Sequence, residues 1–322
     1  MCSACTPSKE EAPLPGEERA AQPEQPGGRI VFEAEWGGQG NGPGQLEQPM
    51  GVALGPRGRL YVTDSGNARV QVYEPDGTLL STWKLSDGVR PVGIAVRPDG
   101  ATLVTDYAGD EVLVFDAEGQ ITSRWGRSGT GEAEFNAPTG VALTPEGNAL
   151  VVEFMGQRVQ ELDARGRFVR FIDGGEPAAS HVAQRPPIPG MDHDAMEEGH
   201  MSMGGGGAQG NPHGLYLFPS DVAVGPDGTI YVTNSHGYEL LVFDGDGSLR
   251  AGWGRKGSDP GQWEIPVGVA TDTAGNLYVA DSANFRVQIL QPDGVPLVVS
   301  RAGERWYETT RRIYSPTDVA VG

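Results

Sequence analysis

The side chains best suited to hold a metal ion are concentrated in one segment of the chain, residues 174–217. Histidine imidazoles and methionine thioethers bind copper in either oxidation state, whereas histidines alone also suit zinc. Four of the five histidines and four of the seven methionines lie in this segment: His181, His193, His200, His213, Met191, Met196, Met201 and Met203. The composition therefore predicts copper binding, with zinc as the alternative ion.

Spacing within the segment selects a set of ligands. His193, Met196, His200 and Met203 recur every three or four residues and would share one face of a helix, although Gly199 disfavours that helix. The segment resembles the Met/His-rich stretches of periplasmic copper-handling proteins, which implies the same ion. The alternative is a low-complexity loop that contacts a partner and binds no metal. Three further candidate ligands are His181, His213 and His236.

Two other sets of polar residues lie outside this segment. His236 is interpreted as an ordinary polar loop residue, with metal ligand and catalytic base as alternatives. The second set occupies one repeated position, where we expect the side chains to accept hydrogen bonds from turn amides or to pair with neighbouring arginines. The alternative for that position is a cation held in a central channel. Its members are Asp64, Asp106, Glu153 and Asp281, with Asn234 as the exception.

Common catalytic signatures are missing from the sequence. It contains no GxSxG nucleophile turn, phosphate-binding loop or HExxH helix. A net charge of -19 repels a phosphate backbone, and it favours cations or basic proteins as partners. The sequence therefore favours a binding protein over an enzyme and disfavours nucleic acid.

Residues 1–28 differ in composition from the rest of the chain. Both cysteines, Cys2 and Cys5, lie among the first five residues, and the following stretch has the Pro, Glu and Gln bias of an unfolded tether. The arrangement resembles a bacterial lipoprotein after removal of its signal peptide, which implies acylation of one cysteine. Cys5 ends a small-small-Cys lipobox pattern, whereas Cys2 would carry the lipid if Met1 replaced a removed signal. A metal-binding or redox CxxC tail is the alternative.

This resemblance implies a location outside the cytoplasm, in the periplasm or at the cell surface. No run of about 18 apolar residues is present, so we expect the lipid anchor to be the only contact with a membrane.

One pattern recurs from residue 49 to the end of the chain: P-x-G-V-A, a turn, L-Y-V-T-D, then R-V-Q-V. Apolar runs alternate with P-D-G or A-G-N turns, as antiparallel hairpins require. Each copy predicts four strands, about 51–54, 60–63, 70–73 and 79–83 in the first, within the roughly 40 to 45 residues of a propeller blade. Five copies begin at Pro49, Pro91, Pro138, Pro219 and Pro266, and a sixth begins at Pro316.

The copies resemble NHL repeats. GQGNGPGQLEQPMGVA from Gly38, RKGSDPGQWEIPVGVA from Arg255 and VADSANFRVQIL from Val279 carry the resemblance, while Glu111 and Glu239 depart from its usual arginine. The resemblance covers residues 29–322 apart from the insertion at about 174–217. It implies an all-β, six-bladed propeller with four antiparallel strands per blade.

The two ends of the repeat region suggest how such a ring closes. Residues 30–36 resemble an outermost strand without inner strands, and residues 316–322 resemble an innermost strand without the others. We expect both to belong to the last blade, which is then incomplete at the C-terminus. Either the natural chain continues for about 25 residues, the remainder of one blade, or the sixth blade is open.

In a propeller, the loops between the second and third strands and those between blades emerge on one face. We expect this face to bind a protein or an assembly, and the NHL resemblance implies a multihaem cytochrome as one partner. The alternative function is that of a propeller-class lyase, similar to peptidyl-hydroxyglycine lyases, or of a metal-dependent lactonase. The repeats match neither class in ligand set.

Overall fold

The computed structural model describes residues 35–173, 215–299 and 316–321. Within them the chain forms five antiparallel sheets of four strands, each built from one consecutive stretch of sequence. The predicted strands of the first copy agree with the observed ones to within one or two residues. The proposed tether, residues 1–28, lies outside the described residues, as does the insertion from 174 to 214.

The five sheets are the blades of a β-propeller, and we number them along the chain. Their strands are β1 (Pro49–Leu54), β2 (Leu60–Asp64), β3 (Arg69–Tyr73) and β4 (Leu79–Lys84) in blade 1; β5 (Pro91–Val96), β6 (Thr102–Asp106), β7 (Glu111–Phe115) and β8 (Ile121–Trp125) in blade 2; β9 (Pro138–Leu143), β10 (Ala149–Glu153), β11 (Arg158–Leu162) and β12 (Phe168–Phe171) in blade 3; β13 (Pro219–Val224), β14 (Ile230–Asn234), β15 (Glu239–Phe243) and β16 (Leu249–Trp253) in blade 4; and β17 (Pro266–Thr271), β18 (Leu277–Asp281), β19 (Arg286–Leu290) and β20 (Pro296–Val299) in blade 5.

The first strand of each blade is the innermost. The first strands of successive blades contact one another and so surround a central channel. Close packing there explains the glycine of the repeated P-x-G-V-A pattern: a Cβ on Gly93 would lie 2.1 Å from the carbonyl oxygen of Thr139 in the next blade. Glycine, which has no Cβ, lets these two inner strands approach this closely.

Apolar side chains fill the space between neighbouring blades. Between blades 1 and 2, Val70 and Val104 are fully buried, and the Trp83 ring stacks on Phe115 with 5.3 Å between centroids. Trp83 also lies over the turn at Gly119, whose φ of 84° places it in the left-handed region that favours glycine. Trp125 and Trp253 repeat this contact on the blades that follow them.

The prediction of six blades is wrong, because the described residues form five. The sixth copy supplies only PTDVAVG, and one inner strand cannot form a sheet without partners to accept and donate hydrogen bonds. Residues 316–321 lie next to β1, where the Val52 amide donates to Asp318 Oδ2 at 2.7 Å, but they are not a strand of any described sheet.

Of the predicted N-terminal strand, residues 30–36, only residues 35 and 36 lie in the described part of the chain. Trp36 is described and is not in a sheet; its ring lies over Gly77 of blade 1, in the way that Trp83 lies over Gly119.

Helical structure in the described residues consists of four 3-10 turns, each of three residues: Pro56–Gly58, Ser65–Asn67, Ser235–Gly237 and Ser282–Asn284. None of them is long enough to cross a membrane.

Candidate binding site at the channel mouth

A cavity of about 330 Å³ opens where the second-to-third-strand loops and the blade-to-blade loops meet around the channel. Inner-strand residues such as Val92 and Ser220 line it, together with Phe154 and His236 from the second-to-third-strand loops and Ile265 from a blade-to-blade loop. The structure thus brings both kinds of loop to one face, as the repeat pattern predicts.

The acidic residue that ends the second strand of most blades holds the loops of this face in place and does not line the cavity. Asp64 accepts hydrogen bonds from Arg69 Nε at 2.6 Å and from the Glu47 amide at 2.7 Å. Arg69 in turn donates to the backbone carbonyls of Asn41, Gly42 and Gln45, and Gln71 donates to Gln45 as well. The blade-to-blade loop is therefore fixed by one carboxylate and its two partners.

Blades 3 and 5 repeat this network. Arg158 Nε donates to Glu153 at 2.6 Å and Arg286 Nε donates to Asp281 at 2.8 Å, with both carboxylates fully buried. Burial raises the pKa of Glu153, whereas hydrogen bonds from Arg158 and Gln160 lower it in opposition. The expectation that these acids satisfy turn amides and pair with arginine is confirmed.

Blades 2 and 4 lack the arginine and use a simpler arrangement. Asp106 accepts from the Arg90 and Ala108 amides, while Asn234 accepts from the Leu217 amide and donates to Glu239.

Two carboxylates that the sequence analysis missed, Asp221 and Asp318, line the cavity. Both stand at the third position of the P-x-G-V-A pattern, where the other copies have Gly51, Gly93, Gly140 and Gly268. That double departure from glycine is the sequence signal that could have found them. Asp221 accepts from the Val269 amide at 2.9 Å, and Asp318 from the Val52 and Val319 amides at 2.7 Å each.

Each of these residues is partly buried where it faces the channel. Burial raises the pKa of Asp221 to about 7. Burial also raises the pKa of Asp318 well above its ordinary value, and the neighbouring Asp221 charge raises it further. Backbone amides lower both values without cancelling the effect, so the pair holds protons more tightly than free aspartates do.

Aromatic side chains form part of the cavity wall. The rings of Phe154 and Phe218 lie 5.1 Å apart, and Phe218 lies 4.9 Å from the His236 ring. Across the mouth, Arg90 lies over the Tyr107 ring at 5.1 Å. Burial lowers the pKa of His236, and within the described residues its buried Nδ1 has no hydrogen-bond partner.

Further out, bulky side chains form a rim on the same loops. Met155 and Phe285 are 43% and 42% exposed. Tyr238 is half-buried and lies 4.9 Å from Lys256 Nζ. Together with the aromatic wall, these residues make the loop face apolar around an acidic cavity.

Of the predicted ligands, only His236 falls in the described part of the chain. It lies at the cavity. The described residues contain no group of three His, Cys, Asp or Glu side chains that could hold a metal ion together. The remaining predicted residues lie outside it: His181, His193, Met196, His200, Met203 and His213, and the lipidation candidates Cys2 and Cys5.

The two ends of the insertion meet between blades 3 and 4. Ile172 and Tyr216 are fully buried there, and the Tyr216 hydroxyl donates to the Ile172 carbonyl oxygen. Tyr216 stands three residues before Pro219, as Phe135 does before Pro138. The insertion therefore leaves and rejoins the propeller beside the loop face without interrupting the repeat.

The repeats themselves match a known family model. The NHL repeat model matches residues 46–73, 216–243 and 265–290. The chain contains three NHL repeats. They coincide with blades 1, 4 and 5, and the match in blade 4 tolerates Glu239 in place of the usual arginine.

One curated protein is similar to this chain over a short stretch. The protein lin-41 of Caenorhabditis elegans is 41% identical over 46 residues, which is 14% of this chain and 4% of that protein.

Solved structures share the fold at low sequence identity. A chain of the nidogen–laminin complex is 14% identical with a TM-score of 0.56, over 84% of this chain and 86% of that chain. Virginiamycin B lyase from Staphylococcus aureus is 14% identical with a TM-score of 0.52, over 80% and 71%. A gluconolactonase from Xanthomonas campestris is 18% identical with a TM-score of 0.53, over 79% and 75%. At these identities the likeness is one of fold alone.

Proposed function

We propose that this NHL-repeat propeller is a binding protein that docks a protein partner on the loop face around the channel mouth. The observation that carries the proposal is Phe285, a large apolar side chain that is exposed while its backbone is held in the left-handed region at a φ of 53°.

The left-handed backbone conformation of Phe285 is shared by the equivalent residue of every blade, whereas its large apolar side chain is not. Each second-to-third-strand loop ends on a residue with positive φ, and the first three copies have Ala68, Asp110 and Gln157 there. Blades 4 and 5 have Tyr238 and Phe285 instead. Bulky residues are rare at positive φ, and such strain concentrates at functional positions. A ring that is 42% exposed also leaves much of its apolar surface in water, so a contact with a partner supplies the reason for it.

Charge and fold support a partner that is basic. The net charge of -19 attracts a positively charged surface, and one structure of similar fold is a chain of a protein–protein complex. A multihaem cytochrome outside the cytoplasm is the partner that the NHL resemblance suggests, with the propeller held at the membrane by its acylated cysteine.

Capture from native membranes tests the docking. The full chain is used as bait, with Phe285→Ala and Met155→Ala as loop-face variants. Val295→Ala is the matched control, since Val295 is 51% exposed in the turn before β20, away from the loop face. We expect the original chain and the control to retain one protein that both loop-face variants lose, with about tenfold weaker binding of that purified protein. Equal binding by all four proteins would contradict the proposal.

A propeller-class lyase or lactonase is the second function, because His236, whose Nδ1 has no hydrogen-bond partner among the described residues, lines the same cavity as Asp221. Such a pair could move a proton. Turnover of a streptogramin or an aldonolactone that disappears in His236→Ala, with docking unchanged, would favour the enzyme.

We also propose that the insertion binds copper through His193, Met196, His200 and Met203, because most of the imidazole and thioether groups of the chain lie in it. Titration of Cu(II) and Cu(I) is compared between the full chain and a variant lacking residues 188–204. Affinity for Cu(II) should decrease below about pH 6, because protonated imidazole cannot coordinate. Equal weak uptake by both proteins would contradict copper binding.

A further inference from the structure

We propose that the cavity at the channel mouth binds the ammonium group of a lysine side chain inserted by the docked partner. The inference rests on the proposed docking and names the chemistry that the cavity recognises: one primary ammonium on an unbranched alkyl stem.

Two acidic groups without a counter-charge point to a cation. Asp221 and Asp318 both line the cavity, and neither forms an ion pair with a basic side chain of the described residues. Partly buried carboxylates that repel each other are costly when ionised, and an incoming cation reduces that cost. The pair is therefore better suited to a bound cation than to an empty channel.

The hydrogen bonds around the carboxylates favour ammonium over guanidinium. Both oxygens of Asp318 already accept backbone amides, from Val52 and Val319, and Asp221 accepts from Val269 and Val222. These amides already occupy part of the acceptor capacity that the planar fork of arginine needs for a two-oxygen contact. A compact ammonium with three donors can use the remaining lone pairs on two separate carboxylates.

The walls suit the rest of a lysine side chain. Phe154 and Tyr107 line the cavity above the acids, and apolar contact with their rings would cover the methylene stem. The volume of about 330 Å³ lies at the lower end of the range for small-molecule sites, which fits a single side chain.

The charged and titratable groups that face the site are few. Besides the two aspartates, the cavity is lined by Arg90, Tyr107 and His236. Arg90 is exposed and lies over the Tyr107 ring at the mouth, and burial favours the neutral form of His236. The interior is therefore acidic, with its one positive group at the entrance.

Two small probes test the inference without the partner. Nα-acetyl-lysine methylamide is titrated into the full chain by ligand-observed NMR, and Nα-acetyl-norleucine methylamide is the matched probe without the ammonium. We expect the lysine probe to bind at least about tenfold more tightly. Asp221→Asn and Asp318→Asn, which retain an acceptor for the backbone amides, should remove that difference, whereas Asp87→Asn on the exposed surface should keep it. Equal binding of the two probes, or an undiminished preference in both cavity variants, would overturn the inference.

A second measurement uses the original chain alone, so that it does not depend on the folding of any variant. Binding of the lysine probe should weaken from about pH 8 to about pH 5, because protonated Asp221 no longer attracts the ammonium. Binding that does not change with pH would overturn the inference. The proposed docking has its own readout, since Phe285→Ala should weaken partner capture and leave probe binding unchanged.

Discussion

The pair formed by Glu153 and Arg158 shows how much of this protein depends on single buried charges. Replacing Arg158 by Met should destabilise the fold by about 3–5 kcal/mol, because Glu153 would keep a buried charge without a partner. The loss should shrink in acid, where Glu153 becomes protonated. Denaturant unfolding measures the change. The control is Arg167→Met, which removes a pair on the surface with Asp163 and should change stability little; similar losses in the two variants would contradict the role of burial.

The aspartates in the channel also predict a dependence of stability on pH. The pKa of Asp221 is about 7 in the folded chain against an ordinary 3.8, so the folded state binds this proton more tightly than the unfolded state. The stability it contributes is complete below about pH 4 and is lost as the pH rises through about 7.

Asp221→Asn has no proton to lose and keeps an acceptor for the Val269 amide. Its melting temperature should therefore exceed that of the original chain at about pH 8, and the difference should vanish near pH 4. Thermal unfolding across this range measures it, with Asp87→Asn as the exposed control. A constant difference at all pH values would mean that the charge is not responsible.

At the scale of the strands, glycine at the third position of four of the five inner strands, β13 being the exception, decides how closely the blades approach. Gly93→Ala would place a methyl group 2.1 Å from the Thr139 carbonyl oxygen, a clash with backbone that cannot rotate away. We expect a loss of about 1–3 kcal/mol in the free energy of unfolding. Gly38→Ala is the control, since a Cβ there meets no atom within 4 Å. Equal stability of the two variants would show that the inner strands can move apart without cost.

At the scale of the whole molecule, the proposed acylation predicts where the protein is found. The native protein should partition with membranes, because the multiply acylated cysteine of lipoproteins anchors more firmly than one chain does. Mass spectrometry of the native N-terminal peptide should show a lipid on Cys2 or Cys5. A variant with both cysteines replaced by serine should leave the membrane fraction. Unmodified cysteines in a protein that does not partition with membranes would contradict the anchor.

Local signals in the sequence were sufficient for the strands and for the repeated acid–arginine pairs. Alternating apolar residues and glycine turns act over a few neighbours, so they predict hairpins directly. Asp64 and Arg69 are likewise five residues apart in adjacent strands, and the sequence alone predicts their contact. The same local signals led to a wrong number of blades. Counting copies treats each copy as a sheet, whereas a strand becomes part of a sheet only through hydrogen bonds to partner strands.

The channel site depends on tertiary structure. Asp221 and Asp318 belong to different copies of the repeat, and each alone reads as an ordinary exposed acid after a proline. Only closure of the inner strands around one axis places both carboxylates in the same cavity, reduces their exposure to water and raises their pKa values. The amino-acid sequence therefore determined the repeated unit of this protein, because hairpins form from near neighbours. The acidic cavity and its aromatic rim were decided by the packing of separate blades, because only that packing sets their distance and their burial.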